Sequence, residues 1–149
     1  MPRKSKTPPS PMLPDIVPGN WRGELVGGAS VSLGQVVQKT APPRSVEFSQ
    51  IIASVSLAMP DGRFTWLGVL FIMAPTPMKP ESSESGMLLK SAELPALCLS
   101  FDVTRGQFSD LLHAFGAGSF KTFHFAVGEA KDKGWAVTSW GTNFEIVGV

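Results

Sequence analysis

The chain has 149 residues, with 13 basic and 12 acidic side chains, one cysteine, no tyrosine, 15 glycines and 13 prolines. That length suits one domain that buries roughly 70% of its unfolded surface, so folding needs neither a disulfide nor a metal. The balanced charge excludes a general nucleic-acid or membrane-surface binder, and the lone Cys98 has no intramolecular partner, as expected in a reducing compartment.

Residues 1–19 hold Pro2, Pro8, Pro9, Pro11, Pro14 and Pro18 together with Arg3, Lys4 and Lys6. Prolines at this density forbid regular ladder bonding, so the segment reads as an extended or disordered solvated tail or, more sharply, as an arm that orders on binding a partner. No apolar stretch follows the basic start, so a secretory leader is not expected and the cytoplasm is the expected compartment. The longest apolar run, from Trp66 to Ala74, is far short of the about 20 residues that cross a bilayer.

Residues 20–149 read as one β-rich domain. Trp21, Gly23 and Leu25 alternate with charged residues, and Gly27-Gly28 carries a two-residue hairpin signal. Val31, Leu33 and Val37 share a face of the expected return strand, with a bulge or bend at Gly34. Ala41-Pro42-Pro43 ends it. From Val46 to Met59 the apolar phase switches near Ser49-Gln50, which predicts a bulge there or a bend carrying the strand from one sheet to another. Pro60-Asp61-Gly62 is a turn. The strand from Phe64 to Met73 is apolar in both phases, so it should be central and covered on both faces, by a second sheet, the helix or a partner chain. Residues 75–87, rich in proline, serine and glutamate, form an exposed loop.

Leu97, Leu99, Phe101 and Val103 then alternate with polar residues. Thr104 and Gln107 have capping-box spacing, and Phe108, Leu111, Leu112 and Phe115 recur at helical period. This predicts an amphipathic helix over about 105–115, closed by Gly116 and Gly118. Phe123, Phe125 and Val127 resume strand alternation. A charged turn at 130–134 leads to a last strand from Trp135 to Val147, with a bulge at Gly141 beside Trp140. The sum is mainly β (α+β): an antiparallel β-sandwich or partly closed barrel of about seven strands, with one helix between the last strands.

Chemistry is sparse. His113 and His124 lack metal-ligand spacing. Cys98 resembles a small buried hydrophobe more than a nucleophile, although a Cys98–His124 pair would form if their strands were neighbours. Gly116-Ala117-Gly118-Ser119-Phe120-Lys121 follows a helix rather than preceding one, so it cannot cradle a phosphate. No catalytic, cofactor or metal residue is assigned. The expected function is a non-enzymatic module that self-associates or docks on a protein partner, with Arg3, Lys4, Lys6, Trp135 and Trp140 as candidate contact residues. The alternatives are a β-barrel or sandwich that holds a small apolar ligand, and a weak nucleic-acid binder acting through the basic arm.

Overall fold

The computed structural model describes residues 15–74, 84–91, 96–132 and 134–143. The elements run β1 (Gly19–Gln38), β2 (Arg44–Ala58), β3 (Thr65–Met73), β4 (Gly86–Lys90), β5 (Leu97–Asp102), α1 (Arg105–Gly116), β6 (Thr122–Lys131) and β7 (Gly134–Thr142). The seven strands close a ring in the order β1-β2-β3-β5-β4-β7-β6, and β6 pairs back onto β1. Strand lengths range from 5 residues in β4 to 20 in β1, so the ring is irregular rather than a regular barrel. The seven strands and single helix match the expected class. One pair departs from an all-antiparallel sheet: β5 returns between β3 and β4 and so runs parallel to β3.

Alternation places one face of every strand inside the ring. Trp21, Ile51, Val55, Leu57, Leu70, Ile72, Leu88, Leu97, Leu99, Phe101 and Phe125 are fully buried there. The phenylalanines account for much of this filling. Phe101 meets Phe123 edge-on at 5.8 Å and stacks on Trp140 at 5.3 Å, and Phe123 continues to Phe120 at 5.8 Å. Phe123 lies across Gly23 of the neighbouring strand, where a Cβ would sit 2.1 Å from the ring. A glycine there makes room for a cross-strand aromatic.

The helix forms for the reason its sequence announces. The Thr104 hydroxyl accepts from the Gln107 N–H, and the Gln107 side chain accepts from the Thr104 N–H, satisfying two orphan donors reciprocally. Its apolar stripe buries Phe108, Leu111 and Ala114, while Leu112 and Phe115 pack half-buried on the same core. Gly118, at φ +72°, takes the left-handed turn after the helix. The turn after β2 also follows expectation: the Gly62 N–H donates to the Met59 carbonyl at 2.9 Å, with φ +67° at Gly62.

Four expectations are corrected. Gly27-Gly28 is not a hairpin turn. The strand runs through it, and the β1–β2 register shifts between Leu25 and Ala29, so residues 26–28 oppose Ser54 alone. The reversal comes later, at 39–43, where the prolines end β1. Second, β2 keeps its register with β1 through Ser49 and Gln50 and has no bulge there. Its phase switch marks where the strand leaves the ring: Ile51 faces the core, whereas Val46 and Phe48 point to the opposite side, with Phe48 lying over Gly34. Third, the β6–β7 irregularity falls at Ala126–Ala130, not at Gly141, which pairs in register with His124. Fourth, the described residues of the chain itself bury only one face of β3: Leu70 and Ile72 are inside, whereas Val69, Phe71 and Met73 are half-buried and Leu67 is exposed. The expected loop at 75–87 lies largely outside the described residues, except that Gly86 and Met87 begin β4. The expected continuation of the last strand to Val147 likewise lies outside them beyond residue 143.

Candidate interaction surface

The longest hairpin reaches beyond the ring. β1 pairs with β6 only over Gly19–Glu24, and β2 pairs with β3 only from Gln50 onward. The pairs from Gly34↔Phe48 to Gln38↔Arg44 therefore form a ribbon two strands wide among the described residues. Of the ten exposed large hydrophobic residues described, six lie on this hairpin: Val26, Val31, Leu33, Val36, Val37 and Phe48. Leu33 is 65% exposed and Val37 63%. Both lie on the continuation of the face that carries Ile51 and Ala53 into the core. The core-facing pattern therefore continues past the end of the body, where no described residue covers it.

Backbone direction adds a second property. The Ser49 carbonyl accepts from the Ala74 N–H at 3.0 Å, so Ser49 directs its peptide groups toward β3. In an antiparallel pair, opposed residues both face each other or both face away. Leu33, opposite Ser49, therefore directs its N–H and C=O outward. By the strand period of two, so do Ala29, Val31, Gln35 and Val37. Residues Val26 to Gln38 carry one of the devices that keep a strand edge single, the bulge at 26–28, and lack two others, a charged side chain and a proline.

The helix braces the ribbon through an exposed ion pair between Arg105 and Glu47, a contact type worth at most about 1 kcal/mol. Where ribbon meets body, Val46, Phe48, Met73, Ala74 and Asp102 line an open crevice of about 260 Å³. Desolvation, and then the nearby Glu84 carboxylate, raise the Asp102 pKa above its ordinary value. A carboxyl raised in the folded state favours folding when protonated, and that contribution is lost as pH rises through its folded pKa. Asp102→Asn is therefore expected to melt above the wild type at pH 7. The difference should close as pH falls below about 3.9, the ordinary aspartate value, as a thermal melt series would record.

The residues singled out from sequence are dispersed. Arg3, Lys4 and Lys6 lie outside the described residues. Trp140 is half-buried against Phe101, and Trp135 is half-buried with the Lys90 ammonium 5.8 Å from its ring centroid. Cys98 and His124 are not neighbours, because β4 and β7 lie between their strands. His113 Nδ1 is 2.9 Å from the Ser109 carbonyl within the helix. Arg22, Glu24, Thr65, Thr122, His124 and Asn143 border a second depression, of about 390 Å³, but all six side chains are exposed and solvated. Among the described residues no group of His, Cys, Asp and Glu could hold a metal ion, and no helix is long and apolar enough to cross a membrane.

The ribbon is not evident from sequence periodicity alone. Its signal is a thirteen-residue run without charge, Val26 to Gln38, in a chain that is 17% charged. No protein-family model matches the chain, and neither curated proteins nor solved structures yield a match.

Proposed function

We propose that the chain is a non-enzymatic interaction module that assembles through the β1–β2 ribbon, with itself or with another protein. The observation that carries this reading is the exposed row of Val31, Leu33 and Val37 along the β1 side of one ribbon face, beside an edge whose peptide groups have no partner among the described residues. Monomeric proteins rarely leave such patches open, and fully burying one Leu or Val side chain is worth about 1.5–3 kcal/mol. The half-buried outer face of β3, with Val69, Phe71 and Met73, offers further apolar area on the same molecule.

Leu33→Lys combined with Val37→Lys tests the reading. Both residues are exposed, so the folded body should keep its melting temperature. Association, followed by light scattering of the full chain, should weaken at least tenfold, since each partner must then desolvate an ammonium. Unchanged association in a folded double variant would contradict the ribbon as the contact surface.

A further inference from the structure

We propose that the open edge of β1 pairs antiparallel with the same edge of a second copy, about a two-fold axis at Leu33. This rests on the ribbon being a contact surface and names its occupant.

The hydrogen-bonding geometry comes first. Ala29, Val31, Leu33, Gln35 and Val37 present outward N–H and C=O groups, as the Ser49–Ala74 bond and the β1–β2 register require. An axis at Leu33 sets Ala29 opposite Val37 of the second copy, Val31 opposite its Gln35, and Leu33 opposite its Leu33. Each is then a hydrogen-bonded pair, because both members project their peptide groups across the junction. Opposed residues share a face, so Val31, Leu33 and Val37 of the two ribbons come onto one face, interrupted by Gln35.

Charge decides between a parallel and an antiparallel copy. The edge itself is neutral from Val26 to Gln38, and its ends differ. Lys39 and Arg44 make the ribbon tip basic, while Glu24 stands at its base with Arg22 and Lys121 beside it. A parallel copy would set two basic tips together. The antiparallel copy places them at opposite ends of a strip about 27 Å long, at 3.3–3.4 Å per residue. That is well beyond the screening length of about 8 Å. It also sets each Lys39 across from the uncharged Gly27 of the other copy. A two-fold pairing uses the same strip on both copies and closes on itself.

The test uses the full chain. Leu33→Pro removes an outward N–H and leaves the β1–β2 ladder bonds in place, a setting in which an edge strand tolerates proline. The expected result is a dimeric wild type and a variant whose dissociation constant rises at least tenfold, with the β circular dichroism retained. Leu33→Cys in a Cys98→Ser background gives a readout independent of that variant. Opposed hydrogen-bonded residues lie about 5.5 Å apart at Cα, within disulfide range, so mild oxidation should yield a covalent dimer.

A dimer that survives Leu33→Pro, and that forms no covalent link on oxidation of the Leu33→Cys variant, overturns edge pairing but leaves assembly through another face standing. A wild-type monomer that dimerises once residues 144–149 are deleted also overturns the proposal, by showing the edge covered by its own chain. A wild type that stays monomeric and binds nothing overturns this proposal and the assembly reading together.

Discussion

Gly86→Ala is expected to destabilise the protein by about 3 kcal/mol or more, the upper end of overpacking costs. Gly86 opens β4, the five-residue strand through which the ring closes, and pairs with Phe101 on one side and Val137 on the other. A Cβ at this position would lie 1.9 Å from the Ser100 carbonyl oxygen, 2.9 Å from its carbon and 3.2 Å from the Phe101 Cα. All three are backbone atoms, so no side chain can swing aside, and β4 itself must move off β5. That movement pulls on the flanking bonds, Asp102 N–H to the Ser85 carbonyl and Ser85 N–H to the Val137 carbonyl, both 2.8 Å. Gly28→Ala is the matched control: a Cβ there meets nothing within 4 Å, and the change should stay within about 0.5 kcal/mol. Urea unfolding of the two variants side by side measures the contrast. Equal midpoints would mean that β4 does not close the ring as described.

Phe101→Ala is expected to cost about 3–5 kcal/mol, as large aromatic truncations in packed cores do. Phe101 is 1% exposed and meets three other aromatic rings. It sits edge-on to Phe123 at 86° and to Phe125 at 62°, and lies nearly parallel to Trp140 at 13°. Removing the ring leaves a void and separates the β5 side of the core from the β6–β7 side. Against a typical total stability of about 5–15 kcal/mol, this brings the fold near its threshold. Phe64→Ala provides the contrast, because Phe64 is 64% exposed and should change stability by less than about 1 kcal/mol. Chemical denaturation of both variants reads the difference. A Phe101→Ala cost as small as that of Phe64→Ala would mean the ring interior is not packed around this residue.

Local signals in the sequence are reliable where one short segment decides the outcome. Thr104 and Gln107 sit three residues apart, and their mutual capping needs nothing from the rest of the chain. The same holds for Pro60-Asp61-Gly62, whose turn geometry is set by the residues themselves. Gly27-Gly28 misleads because its turn preference is weak beside the pairing available to β1. Ten further register pairs form on β2 once the strand continues to Gln38, and the extra residues are absorbed as a bulge. The parallel β3–β5 pair is out of reach for a different reason. Strand order is a long-range property, and no residue in either strand encodes which neighbour it takes.

The ribbon shows both limits together. Spacing alone puts Val31, Leu33 and Val37 on one face, and the structure keeps them there. Alternation reports that a face is apolar and is silent on what covers it. The fold leaves this face open because β6 and β3 stop short of it, which depends on where those strands end. The missing charges along Val26–Gln38 are visible in the sequence, and their meaning emerges only once that stretch becomes a strand edge.

The native mass of the full chain, measured by sedimentation equilibrium across a wide concentration range, tests the central claim most directly. Assembly through the ribbon predicts a mass that rises above one chain with concentration, and a return to a single chain in the Leu33→Lys, Val37→Lys variant under the same conditions. A wild type that holds the mass of one chain throughout, with no protein partner engaging the ribbon, would contradict it.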